Sequence, residues 1–401
     1  MELYHKIIKV LSVVAVLIAV FFISFTFYQV KNEQPEIYVN FDLIKNLHQS
    51  IINKQNSRQN FNTLPDSLAD KKSIKLLFFG DMMLDRHVKE KIEQNGIDYL
   101  FKNFYPEGDI PKCRLQDAHS DDCFFNDYDL ISCNLEGAVT NNGAHYAPVV
   151  DYDFAFAPEL IDQLKNYNFN FFNLANNHFY DQGERGIIET RDNLDKLGFY
   201  YSGCQDGAIA ECSSEVINIA HSTSPGQADI KIGIAGFSMV YSKLDMPEVE
   251  REIRQLASTT DLVVVNMHWG QEYEHQFNQV QQDVAYQLID AGADVIIGHH
   301  PHVIQGLELY KNKPIFYSLG NFIFDQYFLE DTQQGLAVSI HITDEQREYF
   351  LFPFESKLSQ VELMEDKDKK MFLEKLVEWS KVGEEVANQI KLGKITTQIY
   401  E

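Results

Sequence analysis

From Ile74 onward the chain alternates short apolar runs with polar clusters and with segments whose apolar residues recur at helical spacing. The runs are IKLLFFGD (74–81), DLISCNLEG (129–137), FNFFNLANNH (169–178), IKIGIAGFS (230–238), DLVVVNMHWG (261–270), ADVIIGHH (293–300) and KPIFYSLGNF (313–322). Runs that are continuously apolar read as strands of a largely parallel or mixed sheet, buried on both faces. Helical patterns fall at Pro158–Tyr167, Glu184–Leu197, Pro247–Ala257 and Asn278–Ala291, the last closed by Gly292. LAVSIHI (336–342) reads as a late strand and Lys367–Ile390 as one helix. The alternation predicts an α/β domain over 73–340, with a strand and helix extension at 341–401 packing on it.

The N-terminal texture is different. No residue from Val10 to Val30 is charged, and the stretch matches the ~20 apolar residues that span a bilayer. Residues 7–30 therefore read as a transmembrane anchor, with a cleaved signal peptide as the rival reading. Lys6 and Lys9 precede the span, while Glu33 and Glu36 follow it, which places the N-terminus in the cytoplasm and the main domain outside a cell membrane crossed once. Residues 31–72, rich in Asn, Gln and Lys, read as a polar stalk. Cys113 with Cys123 and Cys204 with Cys212 are spaced to close local disulfides in an oxidising compartment, whereas Cys133 sits in a buried run. A net charge of -25 excludes broad contact with nucleic acid.

The polar tips of the runs carry the candidate chemistry: Asp81, Asn134 with Glu136, Asn176 to His178, His268, His299 to His302, and Asn321. Ligands in open α/β sheets collect beyond strand carboxyl ends. Pro301 biases His300 toward extended angles, so His300 and His302 are expected on one side and His299 on the other. Asp81, Glu136, Asn177, His178, His268, His300 and His302 offer carboxylate, amide and imidazole groups suited to Mn, Zn or Fe. One or two such divalent ions would serve metal-assisted hydrolysis. Taken singly, Asp81 reads as a helix cap, His268 as a packed ring beside Trp269, and Asn177 as a turn former; their shared placement favours a site. Arg86 is either an anion-binding guanidinium or a paired one. Asp181 either orients His178 or caps the next helix. Asn134, Asn321 and Asp325 are expected to line the pocket, and Glu272 and Tyr273 either line it or pack. There is no GxxxxGK, GxGxxG or GxSxG motif, which removes nucleotide-binding and serine-hydrolase readings.

The motif series GDMMLDR (80–86), NLEGAVT (134–140), NLANNHFYDQG (173–183), HWGQEY (268–273), GHHPHVIQ (298–305) and YSLGNFIFDQ (317–326) resembles that of the CapA family of capsule, or poly-gamma-glutamate, synthesis proteins. The resemblance implies a metallophosphatase-like layered sandwich of mixed β-sheets flanked by helices. It implies metal ligation by Asp81, Glu136, Asn177, His268, His300 and His302, with Glu136 bridging two ions. It gives His178 contact with phosphate and assistance to the leaving group. Two departures stand out: Met83 occupies the place of a ligand histidine, and Glu136 that of a bridging Asp. The implied partners are the membrane, an anionic envelope polymer or phosphoester substrate, and membrane-bound polymer synthesis subunits. Hydrolysis is one expected role; a non-catalytic, metal-containing part in polymer synthesis, export or anchoring is the other.

Overall fold

The computed structural model describes residues 74–104, 124–219, 229–343 and 346–398. The apolar span, the stalk and the Cys113/Cys123 pair lie outside them. Among the described residues no helix is long and apolar enough to cross a membrane.

The chain builds one sheet, leaves it for a second, and returns. It begins with β1 (Ile74–Met82), β2 (Leu130–Leu135), the short ribbon β3 (Ala138–Val139) and β4 (Ala155–Phe156), then β5 (Phe171–Asn173) and β6 (Tyr200–Ser202). It continues through β7 (Ser214–Ile219), β8 (Ile230–Ser238), β9 (Leu262–His268), β10 (Val295–His299), β11 (Leu307–Tyr310) and β12 (Lys313–Phe316). It returns as β13 (Asn321–Ile323), β14 (Gln334–Ile342), β15 (Gln346–Lys357), β16 (Gln360–Leu363) and β17 (Lys394–Gln398). The first sheet has the order β16-β15-β14-β1-β2-β5-β6, with β13 also on β1 and β17 on β15; the second has the order β11-β12-β10-β9-β8-β7. β1, β2, β5 and β6 run parallel, as do β8, β9, β10 and β12, so the catalogue of polar tips falls at one end of each sheet.

Strand alternation explains the layers. Leu76 and Phe78 of β1 join Leu262 and Val264 of β9 in the core between the sheets. Leu77 and Phe79 face the opposite way, into a second core with Val88 of α1 (Arg86–Asn95) and Leu194 of α2 (Gly183–Leu197). Val263 and Val265 turn outward to meet α3 (Met246–Ala257) and α4 (Gln279–Ala291). Both faces of the strands are therefore buried, which is why the runs lack polar alternation. Asn278 caps α4 by accepting the Gln281 N–H while Gln281 reciprocates, and Gly198 closes α2 at φ 77°.

Two elements depart from the sequence pattern. The apolar run 313–322 is two strands in two sheets, β12 and β13, with the crossing at Tyr317–Gly320. The expected single helix over Lys367–Ile390 is two, α5 (Asp366–Trp379) and α6 (Glu384–Lys391). Ser380 turns extended at the break, its Oγ accepts the Leu307 N–H at 2.9 Å, and Lys381 N–H donates to Leu307 O at 3.1 Å. Pairing with β11 thus overrides helix continuity. β15 pairs with β14 over nine positions, so residues after 341 lengthen the first sheet. Cys204 and Cys212 form a disulfide in the connection from β6 to β7, where the chain changes sheets.

Phe78 is 1% exposed between the sheets. Phe78→Ala should cost about 3–5 kcal/mol in chemical denaturation, because the two sheets cannot close over the lost ring.

Candidate metal centre

Register brings the polar tips together. Asp81 pairs with both Asn134 and Asn321, and Asn134 with Asn173, in the first sheet. His268 pairs with His299 in the second. Asn134, fully buried, joins the two sets. Its Nδ2 lies 2.8 Å from Asp81 Oδ1, 3.2 Å from Glu136 Oε1 and 3.2 Å from His268 Nδ1. Its Oδ1 accepts from Asn173 and Asn176 at 2.8 and 3.2 Å. An amide nitrogen has two hydrogens, so three acceptors cannot all be served. Glu136 Oε2 and His300 Nδ1 are buried without any hydrogen-bond partner.

The remaining ligand candidates surround this hub. Asn177 Oδ1 is 2.7 Å from His268 Nε2, which is itself 3.9 Å from Glu136 Oε1. The His300 N–H donates to Asp81 Oδ2 at 3.2 Å. His302 Nδ1 lies 2.9 Å from Asn321 Oδ1 and 3.4 Å from Asp81 Oδ2. Asp81, Glu136 and His268 form one group of converging ligand atoms; Glu272, His300 and His302 form another.

The histidine turn is built differently from the extended chain expected. His300 has φ 96° and His302 φ 58°, both in the left-handed region. Proline's bias against helical angles at His300 is met by this excursion, and two sharp reversals, not strand alternation, bring the rings to the pocket. His299 does not face away. As the parallel-register neighbour of His268 it shares that residue's face, 1% exposed, with Nδ1 3.5 Å from Asp81 Oδ1 and Nε2 3.3 Å from Asn266 Oδ1.

Burial sets the protonation states. Burial pushes Glu136 well above the ordinary carboxylate range, and the charge of Asp81 adds to it. Burial would raise Asp81 too, but hydrogen bonding to His302 and the fields of His302 and His299 bring it below its usual value. Burial drives His268 well down, and His299 and His300 to about 4. Neutral imidazoles are the form that binds metal.

At the rim, His178 Nδ1 lies 2.9 Å from Asp181 Oδ2, which also accepts the Phe154 N–H at 2.9 Å. Asp181 thus orients the ring, and α2 starts after Gln182 without using it. Arg86 forms a two-pronged ion pair with Asp325, whose side chain is 2% exposed, and its guanidinium lies 4.9 Å from the Phe154 ring. Asp325 is spent on Arg86 and His87. Asp85, not Asp81, caps α1. Met83 is fully buried, with Sδ accepting the Asp85 N–H at 3.0 Å, as a core residue would. Sequence reasoning did not single out Asn173, turned His299 away from the pocket, and left Glu272 of the HWGQEY motif between lining the pocket and packing.

The donor set fits a divalent ion: carboxylates, an amide oxygen and neutral imidazoles converge, and a cation would displace the proton that burial keeps on Glu136. Glutamine is nearly isosteric with the neutral acid that burial favours at Glu136, so in chelator the melting temperature of Glu136→Gln should stay close to that of the unaltered protein. With Mn²⁺ at 100 times Kd the unaltered protein should gain about 2.7 kcal/mol, and Glu136→Gln much less; thermal unfolding with and without metal reads both effects.

The model of the family "Bacterial capsule synthesis protein PGA_cap" matches residues 75–326. "Capsule biosynthesis protein CapA" of Bacillus anthracis is 30% identical over 301 residues, covering 70% of this chain and 66% of that protein. "PGA biosynthesis protein CapA" of Bacillus subtilis is 32% identical over 275 residues, covering 66% of this chain and 67% of that one. The matched stretch thus spans about two thirds of each relative. Among solved structures, Vacuolar Protein Sorting 29 from Cryptosporidium parvum covers 73% of this chain and 97% of its own at 11% identity and a TM-score of 0.32, a distant likeness.

Proposed function

The chain belongs to the bacterial capsule synthesis protein family PGA_cap, and on that premise we propose that it is a membrane-anchored, metal-dependent hydrolase of phosphoester or related bonds in capsule or polyglutamate biosynthesis. The observation that carries this reading is the convergence of ligand atoms from Asp81, Glu136 and His268 around the buried Asn134, with Glu136 Oε2 left without a hydrogen-bond partner. A layered sandwich with ligands at strand ends from two sheets is the arrangement expected of a metallophosphatase-like fold. Asp81, Glu136, Asn177 and His268 would hold an Mn, Zn or Fe ion, with His300 and His302 beside it. Such an ion supplies an acidified water and a Lewis acid for oxygen on phosphorus.

The chain's own groups account for the rest. His178 is held through Nδ1 by Asp181, which leaves Nε2 to pass a proton to the departing oxygen. Phe154, with its ring centroid 4.4 Å from that of His178, keeps the imidazole in place. Arg86 sits against the same Phe154 and, fixed by Asp325, positions an anionic group without providing a full uncompensated charge. The Cys204–Cys212 disulfide supports an extracytoplasmic domain, as does the apolar stretch at 10–30.

One observation favours a second reading, a metal-containing but non-catalytic component of polymer synthesis, export or anchoring. Met83 is packed in the core where the family resemblance expects a ligand, so that position gives no coordination. The two readings part on turnover. The purified chain should carry transition metal and hydrolyse a generic phosphodiester. His178→Ala should lower kcat by about 10²–10⁴-fold with metal content unchanged, since the ring moves a proton and does not hold the ion. Metal without turnover on phosphomonoesters or diesters selects the binding role; no metal after loading with Mn²⁺ or Zn²⁺ rejects both.

A further inference from the structure

The rim of the pocket carries a line of rings in contact with one another. Phe154 lies against His178 and, edge-on at 6.1 Å, against Phe324, whose ring is 4.9 Å from that of His302. Tyr273 continues the line, 6.3 Å from His302 and 5.7 Å from Phe328. At the other end the Arg86 guanidinium lies 6.0 Å from the Tyr152 ring. Tyr152 and Phe328 are 70% and 65% exposed, and Val149, Val150, Tyr273 and Leu329 beside them in the chain or in space are exposed too. Scattered apolar residues are ordinary on a surface, but a cluster of them beside a pocket marks where something apolar is taken up.

Both arms of this rim are ordered by their own hydrogen bonds. Asp153 Oδ2 accepts the Val150 N–H at 3.3 Å, the Asp153 N–H donates to Val150 O at 3.3 Å, and Asp153 Oδ1 lies 2.8 Å from His145 Nδ1, which closes the turn carrying Tyr152. On the other arm the Tyr273 N–H donates to Pro301 O at 2.8 Å, the buried Thr332 donates to Gln326 O at 2.6 Å, and Gln333 Nε2 donates to Leu329 O at 3.2 Å. Side chains displayed on a pre-ordered frame lose little freedom when a ligand covers them.

Charge decides what the rim takes. A polyanion would need a cation for each of its carboxylates, but the Arg86 guanidinium is spent on Asp325, and Asp151 and Glu272 are exposed among the apolar side chains. A sugar chain needs donors and acceptors along its edge, whereas Val149, Val150 and Leu329 offer only hydrocarbon. A hydrocarbon chain needs neither. We propose that the rim formed by Tyr152, Tyr273 and Phe328 is a subsite for such a chain, so that the substrate is a phosphoester of a long-chain alcohol with its anionic head in the pocket. This rests on the pocket taking a phosphoester anion. The uncharged stretch at 10–30, read as a membrane anchor, would keep the domain where such amphiphiles reside.

Butyl, hexyl and octyl phosphate are titrated calorimetrically into the full chain in Mn²⁺ buffer, and turnover of the matching alkyl 4-nitrophenyl phosphates is followed in parallel. Each methylene withdrawn from water tightens binding about fourfold, so octyl phosphate should bind roughly 100-fold more tightly than butyl phosphate. The Tyr152→Ser/Phe328→Ser double variant, altered only at exposed positions, should cut that ratio to about tenfold or less. Octyl glucoside, which has the chain without the phosphate, should bind more weakly than octyl phosphate by about tenfold or more. A flat series in the unaltered protein, an unchanged ratio in the double variant, or equal binding of octyl glucoside overturns the subsite. Chain-dependent binding without turnover removes the hydrolase reading and leaves the subsite standing. Turnover whose KM ignores chain length does the reverse, and no binding of any alkyl phosphate overturns both.

Discussion

Where the chain crosses between its sheets, at Tyr317–Gly320, backbone hydrogen bonds fix the separation of the two halves of the pocket. Leu319 N–H donates to Gly298 O at 3.0 Å on the β10 side, and Gly320 O accepts the Asp81 N–H at 3.0 Å on the β1 side. Gln305 N–H donates to Ser318 O at 3.1 Å and Ser318 Oγ to Val303 O at 2.8 Å, which ties the histidine turn to the same segment. Approach this close leaves no room for side chains. A Cβ on Gly80 would run into Gly320 O, and one on Gly298 into Tyr317 O. The Asp81–His299 and Asp81–His302 distances follow from this stitching of backbone to backbone.

A pocket so arranged is expensive to fold. Glu136 and Asp81 are buried side by side, so close that Glu136 is pushed toward its neutral form, and two histidines hold left-handed angles. Keeping Asp81 charged and Glu136 desolvated in the core costs free energy, which Asn134, His302 and the neutral form of Glu136 reduce. The three apolar layers offset it. Phe79 stacks on Phe322 with centroids 4.0 Å apart, Phe79 preceding Gly80 and Phe322 following Asn321, so aromatic packing clamps the same crossing from outside. A fold that keeps this much electrostatic cost at one spot has a use for it there, and a cation is the partner that removes the cost most directly.

Much of the fold was legible because burial on both faces leaves a plain mark in sequence. β1, β8 and β9 occupy the apolar runs that announce them, and the cap residues Asn278 and Gly198 bound their helices as local chemistry dictates. The misreadings share a cause, which is that contacts distant in sequence decided the local geometry. KPIFYSLGNF looks like one strand because both halves are buried, yet hydrogen bonds to β10 and β1 divide it. The helix after Lys367 breaks because Ser380 and Lys381 pair with Leu307. His299 was expected to point away because alternation was counted from His300, whose backbone departs from a strand; register with His268 decides its direction instead. Arg86 and Asp325, 239 residues apart, show no pairing in sequence at all.

Charge then constrains the order of events at the pocket. The chain carries a net charge of -25, and Asp81 and Glu136 converge at the pocket while Arg86, balanced by Asp325, offers little to offset them. An anionic phosphoester or polyglutamate segment approaching the metal-free pocket would meet repulsion on top of the cost of shedding its water. Cations reverse the local sign. On the reading proposed here, metal is therefore a precondition for substrate binding as well as a participant in the chemistry, which makes the pocket selective for anions only once it is loaded. The same logic accommodates the non-catalytic role, because a cation held by Asp81, Glu136 and His268 can bridge acidic protein to acidic polymer without any bond being broken. What separates the roles is the rim: under the hydrolytic proposal the Asp181 contact that orients His178 has a task, proton transfer, that a bridge alone does not give it.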